Sequence, residues 1–389
     1  MKKSVMMNYL SELVHSVFEN RKPQSIPEGV TVEELVDIAK RGQIQYIVLS
    51  ALLKLDLQEE TLNSFRPHMF RSTMKTLTQV CMIKDIHAKL EAAGIRHQVL
   101  KGAVMKNIYP SPEMREMGDI DVMIYENTLD KAEEVFKDMG FVKYRLEKHH
   151  VIFNKPPYLV LEAHWTLYDQ NVDKGQFMYY KNNFRAELVE GTEYTYDFSR
   201  EDFYVYMISH MAKHFYETGC GVRNVLDVYV YNKAYKDVLK RDVIEAELKK
   251  LGLAEFEKHV EKLSRVWLDG EESTEFYNNL FEYMLDCGIY GKGENGVWGQ
   301  LAKTHTDVKE NKKDVLKSYI FPPLSYMRDY YEWVDRMPWL LPVGWVVRGI
   351  HALTDKTVQE RARNVANVEE EQVSRIGSIY KELNLNFKG

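Results

Sequence analysis

The chain has 389 residues, 45% hydrophobic and 28% charged, the ordinary balance of a soluble globular protein with room for two or three domains or one large core with extensions. Its net charge of −6 argues against a general nucleic-acid coat, though not against a local basic groove. Three widely spaced cysteines, Cys81, Cys220 and Cys287, form neither a disulfide framework nor a metal knuckle, which points to a reducing compartment.

The first stretch, "MKKSVMMNYLSELVHSVFENRK", is basic at its start. Glu12, His15 and Glu19 interrupt its apolar residues, so it reads as an amphipathic helix and not a signal peptide. Residues 1–95 read as a mainly helical N-terminal region. In "TVEELVDIAKRG", Thr31 and Glu34 have capping-box spacing and Gly42 closes the segment. Val80, Ile83, Ile86 and Leu90 make a helical stripe that Gly94 can end. The pattern then changes. "RHQVLK" predicts a strand and "GAVMKNIYP" a short helix that must stop by Pro110. "GDIDVMIY" predicts a strand, and Asn127 caps a helix over "TLDKAEEVFKDMG" that ends at Gly140. "FVKYR", "HHVIFN" and "YLVLEAHWTL" follow as strands, with "NKPP" as a hairpin turn. Residues 96–169 therefore read as β-α-β-α-β-β-β. This places an α/β core at 96–195 and a C-terminal helical domain at 196–389. In the latter, "SREDFYVYMISHMAKHFYE", "VRNVLDVYVYNKAY" and "RDVIEAELKKLG" are amphipathic helices rich in tyrosine. Residues 303–314 read as a polar loop and 355–375 as a charged helix. "PWLLPVGWVVRGI" is too short to span a bilayer, so a cytoplasmic protein is expected.

The chemistry concentrates in the core. Strand alternation puts Asp119 and Asp121 on one side and Ile120, Val122 and Ile124 on the other. Two carboxylates so close cannot cheaply both stay ionised without a counter-charge, and a divalent cation with oxygen ligands supplies one. Glu162, set in an apolar run and on the same strand face as His164, can add a third carboxylate. Three carboxylates around two Mg²⁺ ions can activate an attacking hydroxyl and neutralise a triphosphate during in-line displacement. The Asp-x-Asp pair alone reads equally well as surface acids on an edge strand; Glu162 tips the balance. Lys101 and Gly102 lie between strand and helix, where a backbone can approach phosphate and Lys101 can hold it; alone they are also simply a turn. Gly118 leaves room for substrate. Arg115 is a second candidate phosphate contact, or a loop arginine.

The order "VLKGAVMKNIYPSPEMREMGDIDVMI", a helix ending at Gly140, then "LVLEAHWTL" resembles the nucleotidyltransferase superfamily typified by DNA polymerase β. It is more closely similar to a branch of bacterial nucleotidyltransferases with the pattern L-K-G, R-x-x-G-D-I-D and D/E-x-H-W. The resemblance covers about residues 96–230, and weakly the C-terminal helices. It implies an α+β fold: a mixed β-sheet with helices on one side, flanked by N- and C-terminal helical regions, the latter closing a cleft. It implies that Asp119 and Asp121 bind both of two Mg²⁺ ions, or Mn²⁺ in their place. Glu162 would be the third ligand and base, and Gly102 would lie under the triphosphate of an NTP, ATP first. Lys101-Gly102-Ala103 stands where the wider superfamily has Gly-Ser or Gly-Gly, and Glu162 where Asp is more frequent.

His210 and His214 share a helical face and Asp227 lies on the next helix, but no third clear zinc ligand is visible. The resemblance gives His210, His214, Arg223 and Asp227 supporting or nucleotide-side roles. His164 is expected to orient Glu162 or touch phosphate, and Trp165 to join the core. Cys220 has no base near it and is not read as a nucleophile. The expected reaction moves an NMP from an NTP to an acceptor hydroxyl or phosphate on a small molecule, a protein or an RNA end. The acidic balance argues against long nucleic acid. A catalytically weak or inactive nucleotide-binding protein is the alternative. A sugar transferase using Asp-x-Asp fits less well, because the first 95 residues are helical.

Overall fold

Thr31 and Glu34 form the expected reciprocal cap. The Thr31 hydroxyl accepts from the Glu34 amide at 3.2 Å, and the Glu34 carboxylate accepts from the Thr31 amide at 3.1 Å. They start helix α2 (Val32–Gly42), which follows α1 (Lys2–Phe18) and precedes α3 (Gln45–Leu52). Helix α4 (Glu59–Ala92) begins well before the stripe that revealed it and stops just short of Gly94, whose φ is +67°. The computed structural model describes residues 2–125, 127–147, 149–169, 174–181 and 185–288, and then 317, 320–322, 324, 327–328, 331–354 and 370–385. The polar stretch 303–314 and most of 355–375 lie outside these.

The expected core order is present: β1 (His97–Val99), α5 (Gly102–Lys106), β2 (Ile120–Ile124), α6 (Leu129–Asp138), β3 (Val142–Leu146), β4 (His150–Lys155) and β5 (Leu159–His164). One detail differs. Helix α6 is flanked by Thr128 and not capped by Asn127; the Thr128 hydroxyl turns back to the Tyr125 carbonyl at 2.7 Å and makes no cap hydrogen bond. The strands form one mixed sheet in the order β1-β2-β5-β4-β3. β2 and β5 are parallel at its centre, and the other pairings are antiparallel.

Alternation gives the sheet two unlike faces. Ile120, Val122 and Ile124 of β2, Leu161 and Ala163 of β5, and Val151 and Phe153 of β4 share an apolar core. Ile86 and Leu90 of α4 and Ala132 and Phe136 of α6 close it, and Trp165 packs on its margin as expected. The opposite face carries Asp121, Glu162, His150 and His164. Its far end is covered by a second cluster, in which Leu100, Met123 and Tyr125 meet Tyr168, Tyr180 and Tyr206.

Helix α7 (Lys174–Lys181) and a two-stranded ribbon, β6 (Ala186–Leu188) with β7 (Tyr196–Phe198), follow. The ribbon escaped the sequence reading. Helices α8 (Arg200–Thr218), α9 (Val222–Ala234) and α10 (Arg241–Lys250) lie where expected, followed by α11 (Ala254–Leu268) and α12 (Glu275–Cys287). The fold is thus α+β, a mixed sheet among many helices. The chain divides into two compact units: Met1–Lys213 with Gly221–Ile289 and Phe387–Gly389, and His214–Cys220 with Tyr290–Asn386. The second includes helices Leu341–Thr354 and Glu370–Glu382. Among the described residues, no helix is long and apolar enough to cross a membrane.

Candidate active site

The register of the two central strands makes the site. Asp121 of β2 and Glu162 of β5 are direct partners, so their side chains stand side by side on the polar face. His164 is two residues along β5 and shares that face. Its Nε2 lies 2.9 Å from Asp121 Oδ1 and 3.5 Å from Glu162 Oε2. Ligand atoms of Asp121, Glu162 and His164 lie within 4.8 Å of one another, a group able to hold a metal ion. Asp119 sits one residue before β2 begins. It stands outside that tight group but close enough to feel Asp121, Lys101 and Glu162.

Lys101 supplies the local positive charge. It is the residue before α5, with φ +51°, and its ammonium donates to Asp121 Oδ1 at 2.7 Å. Asp121 is therefore held in two directions. Burial raises its pKa, but Lys101 and His164 outweigh that and leave it well below the usual carboxylate range. Asp119 lacks such partners. Burial and repulsion from Asp121 push it up to about 6, against the pull of Lys101. Glu162 feels burial in the same sense, but the His164 hydrogen bond reverses it and the carboxyl ends below its ordinary value.

Gly102 is a matter of packing. It is buried, and a Cβ there would meet Met117 Cγ and Sδ at 3.0 Å. Met117 belongs to the same loop as Gly118 and Arg115, so the loop leading into β2 presses on the first turn of α5. Arg115 is buried, and its Nε donates to Asp227 Oδ1 at 2.7 Å. Tyr109 donates to the same oxygen at 2.8 Å. The guanidinium thus ties the loop to α9. Asp227, weighed as a partner for His210 and His214, is occupied by that pair. Arg223 donates to Gln43 and, at 3.1 Å, to the Glu116 carbonyl, so it holds the same loop. Glu116 and Met117 also line a cavity of about 250 Å³ with His68, Arg71, Lys75 and Gln79.

Sequence reasoning missed two neighbours. His150 is the register partner of His164, and its Nε2 lies 3.6 Å from Glu162 Oε2. His149 is beside it, with its ring 5.7 Å from that of His164. Burial is the main cause that lowers both imidazoles, His149 to about 3. The signal was available: "HHVIFN" pairs across a short hairpin with "LVLEAH", and period-2 alternation then brings the second His to the face of Glu162 and His164.

The arrangement gathers buried carboxylates, Lys101 and three imidazoles at the edge of a central parallel strand pair. That is a set of hard oxygen donors with more negative charge than Lys101 alone balances. Comparison with curated proteins and with solved structures finds no match. Residues 28–269, more than half of the chain, match the model of a family described as uncharacterised nucleotidyltransferases, and the chain belongs to that family.

Proposed function

We propose that the chain moves a nucleoside monophosphate from a nucleoside triphosphate, ATP first, to an acceptor hydroxyl or phosphate and releases pyrophosphate with Mg²⁺ or Mn²⁺. Membership of a nucleotidyltransferase family supports an enzyme of this general kind. The observation that carries the finer reading is the pairing of Asp121 with Glu162 on the central parallel strands, with Asp119 at the mouth of the first. The donor set fits a hard divalent cation: burial first, and then repulsion from Asp121 and Glu162, lift Asp119 to about 6, and a cation among oxygen donors relieves both. Asp119, Asp121 and Glu162 would hold the cation, which when bound neutralises triphosphate charge.

The chain's own groups take the remaining tasks. Glu162 is ionised at neutral pH and can accept the proton of the acceptor hydroxyl. His164 and Lys101 fix Asp121 in place from two sides. Lys101 is the proposed triphosphate contact, and Gly118 and Gly102 allow the substrate's phosphates close approach to the backbone. Arg115 acts as a positioning residue through Asp227.

The test is direct. Labelled NTPs with Mg²⁺, across a panel of small-molecule, protein and RNA-end acceptors, should yield pyrophosphate and a nucleotidylated product. Asp121→Asn should lose at least about 100-fold in turnover, since it removes a charge aimed at the reacting centre. No turnover on any acceptor, or full turnover in Asp121→Asn, would overturn the reading. The ion pair between Lys101 and Asp121 favours one alternative, a protein that binds nucleotide without turning it over. Equilibrium nucleotide binding with no product separates the two.

A further inference from the structure

Three imidazoles crowd one corner of the polar face, and two of them are unsatisfied. Ligand atoms of His149, His150 and His164 lie within 4.8 Å of one another. The ring centroids of His149 and His150 are 4.7 Å apart, and those of His150 and His164 4.8 Å. Nδ1 of His149 and Nδ1 of His150 are buried and have no hydrogen-bond partner. A buried polar atom left unpaired is costly, and native proteins rarely tolerate two side by side.

A packing role does not explain this corner. The side chain of His164 is 5% exposed and that of His150 only 13%, and both lie against the Glu162 carboxylate, not among aliphatic groups. What gathers one nitrogen from each of several imidazoles is an ion of borderline softness. Around tetrahedral Zn²⁺, with Zn–N about 2.0–2.1 Å, neighbouring ligand atoms stand about 3.4 Å apart. Glu162 Oε2 is already near that spacing, 3.6 Å from His150 Nε2 and 3.5 Å from His164 Nε2. The imidazoles, whose ligand atoms lie within 4.8 Å, need to close by at most about 1.4 Å to reach the same spacing.

We propose that His149, His150 and His164 form a binding site for a borderline divalent transition ion, Zn²⁺ in preference to Mg²⁺, with the Glu162 carboxylate at its rim. The site is separate in chemistry from the carboxylate set, because imidazole suits zinc, cobalt and nickel while Mg²⁺ keeps to oxygen. The two sets meet at His164. An ion on His164 Nε2 would replace that nitrogen's contact with Asp121 and leave Lys101 as that carboxylate's partner. Occupancy therefore reaches the proposed catalytic carboxylates, yet binding itself does not depend on nucleotide transfer.

The full chain, freed of metal with a chelator, is titrated with Co²⁺ and with Zn²⁺ in excess Mg²⁺ and without nucleotide. Visible absorption reports Co²⁺ geometry and calorimetry gives stoichiometry. One equivalent per chain, with the intense absorption of nitrogen-bound tetrahedral Co²⁺, is expected. His149→Ala together with His150→Ala should weaken binding by at least about tenfold, while Asp119→Asn, which leaves the imidazoles intact, should retain it. Should the double variant fail to fold, His150→Gln decides, since it keeps a polar side chain of similar length and replaces the imidazole with an amide, a much weaker zinc ligand. No cobalt absorption, or affinity unchanged in the folded variants, overturns the proposal. Failed nucleotide transfer with intact cobalt binding would overturn only the catalytic reading.

Discussion

Asp119 carries the least comfortable charge in the site. Asp121, two residues on, is buried too, yet Lys101 and His164 hold it ionised, whereas Asp119 is raised to about 6 by burial and by Asp121 itself. The sign follows from linkage. Between the ordinary carboxylate value near 3.9 and about 6, the folded protein keeps a proton that the unfolded chain has lost. Stability from this group therefore falls as pH rises through that window and remains lower above it. Asp119→Asn should stabilise the metal-free protein at pH 7.5 by on the order of 1–2 kcal/mol, and the gain should shrink as pH falls from about 6 to about 4. Urea unfolding at several pH values checks it; an equal gain at pH 4 and at pH 7.5 would show that charge is not the cause. The aspartate pair was legible in the sequence because alternation sets its face. The difference between its two members was not, since it depends on where the Lys101 ammonium ends up.

Elements decide what Arg115 does. The sequence placed it in a loop before a strand and offered a phosphate contact. The folded loop instead packs Met117 on Gly102 and buries the guanidinium against Asp227 of α9. Breaking one half of a buried pair leaves an uncompensated charge, typically about 3–5 kcal/mol. Arg115→Met and Asp227→Asn should each destabilise by about that amount, and the double variant by less than their sum. A double-mutant cycle in urea reads the coupling; additive losses would mean the pair is incidental and return Arg115 to the nucleotide. The same scale shows why sequence reading succeeded in part. The helix-strand order of 96–169 was visible because each element has its own period and punctuation. The parallel pairing of β2 with β5 was not, although it sets Asp121 beside Glu162, because a register between segments separated by a helix and two strands leaves no local mark. β3 shows the converse: its Val142, Tyr144 and Leu146 are 64–68% exposed on an edge, and nothing in "FVKYR" distinguishes an edge from a centre. The β6–β7 ribbon, three residues a strand, is too short to show a period at all.

Across the whole molecule, burial of ionisable groups should shape stability against pH more than the net charge does. The chain carries −6 at pH 7, so added negative charge at higher pH works against the compact state. Lys106 works the other way. It is 1% exposed, and its ammonium reaches Thr76 Oγ1 at 3.2 Å and the carbonyls of Pro112 at 3.2 Å and Arg115 at 2.8 Å. Burial, with Arg115 and Lys75 nearby, pushes it down to about 7. In the unfolded chain the amine keeps its proton to near 10.4, so from about 7 upward the unfolded state binds more protons and stability rises with pH. The slope is at most ~1.4 kcal/mol per pH unit for one proton. Lys75, also lowered by burial, acts in the same sense. The tyrosines buried alongside shift upward and contribute nothing below pH 9. The metal-free protein should therefore resist urea better at pH 9 than at pH 7, and Lys106→Met should flatten that rise even though it also loses three hydrogen bonds. A wild-type profile that is flat or falling from pH 7 to 9 would mean that Lys106 keeps its proton, and that the loop carrying Arg115 and Asp119 rests on a buried cation.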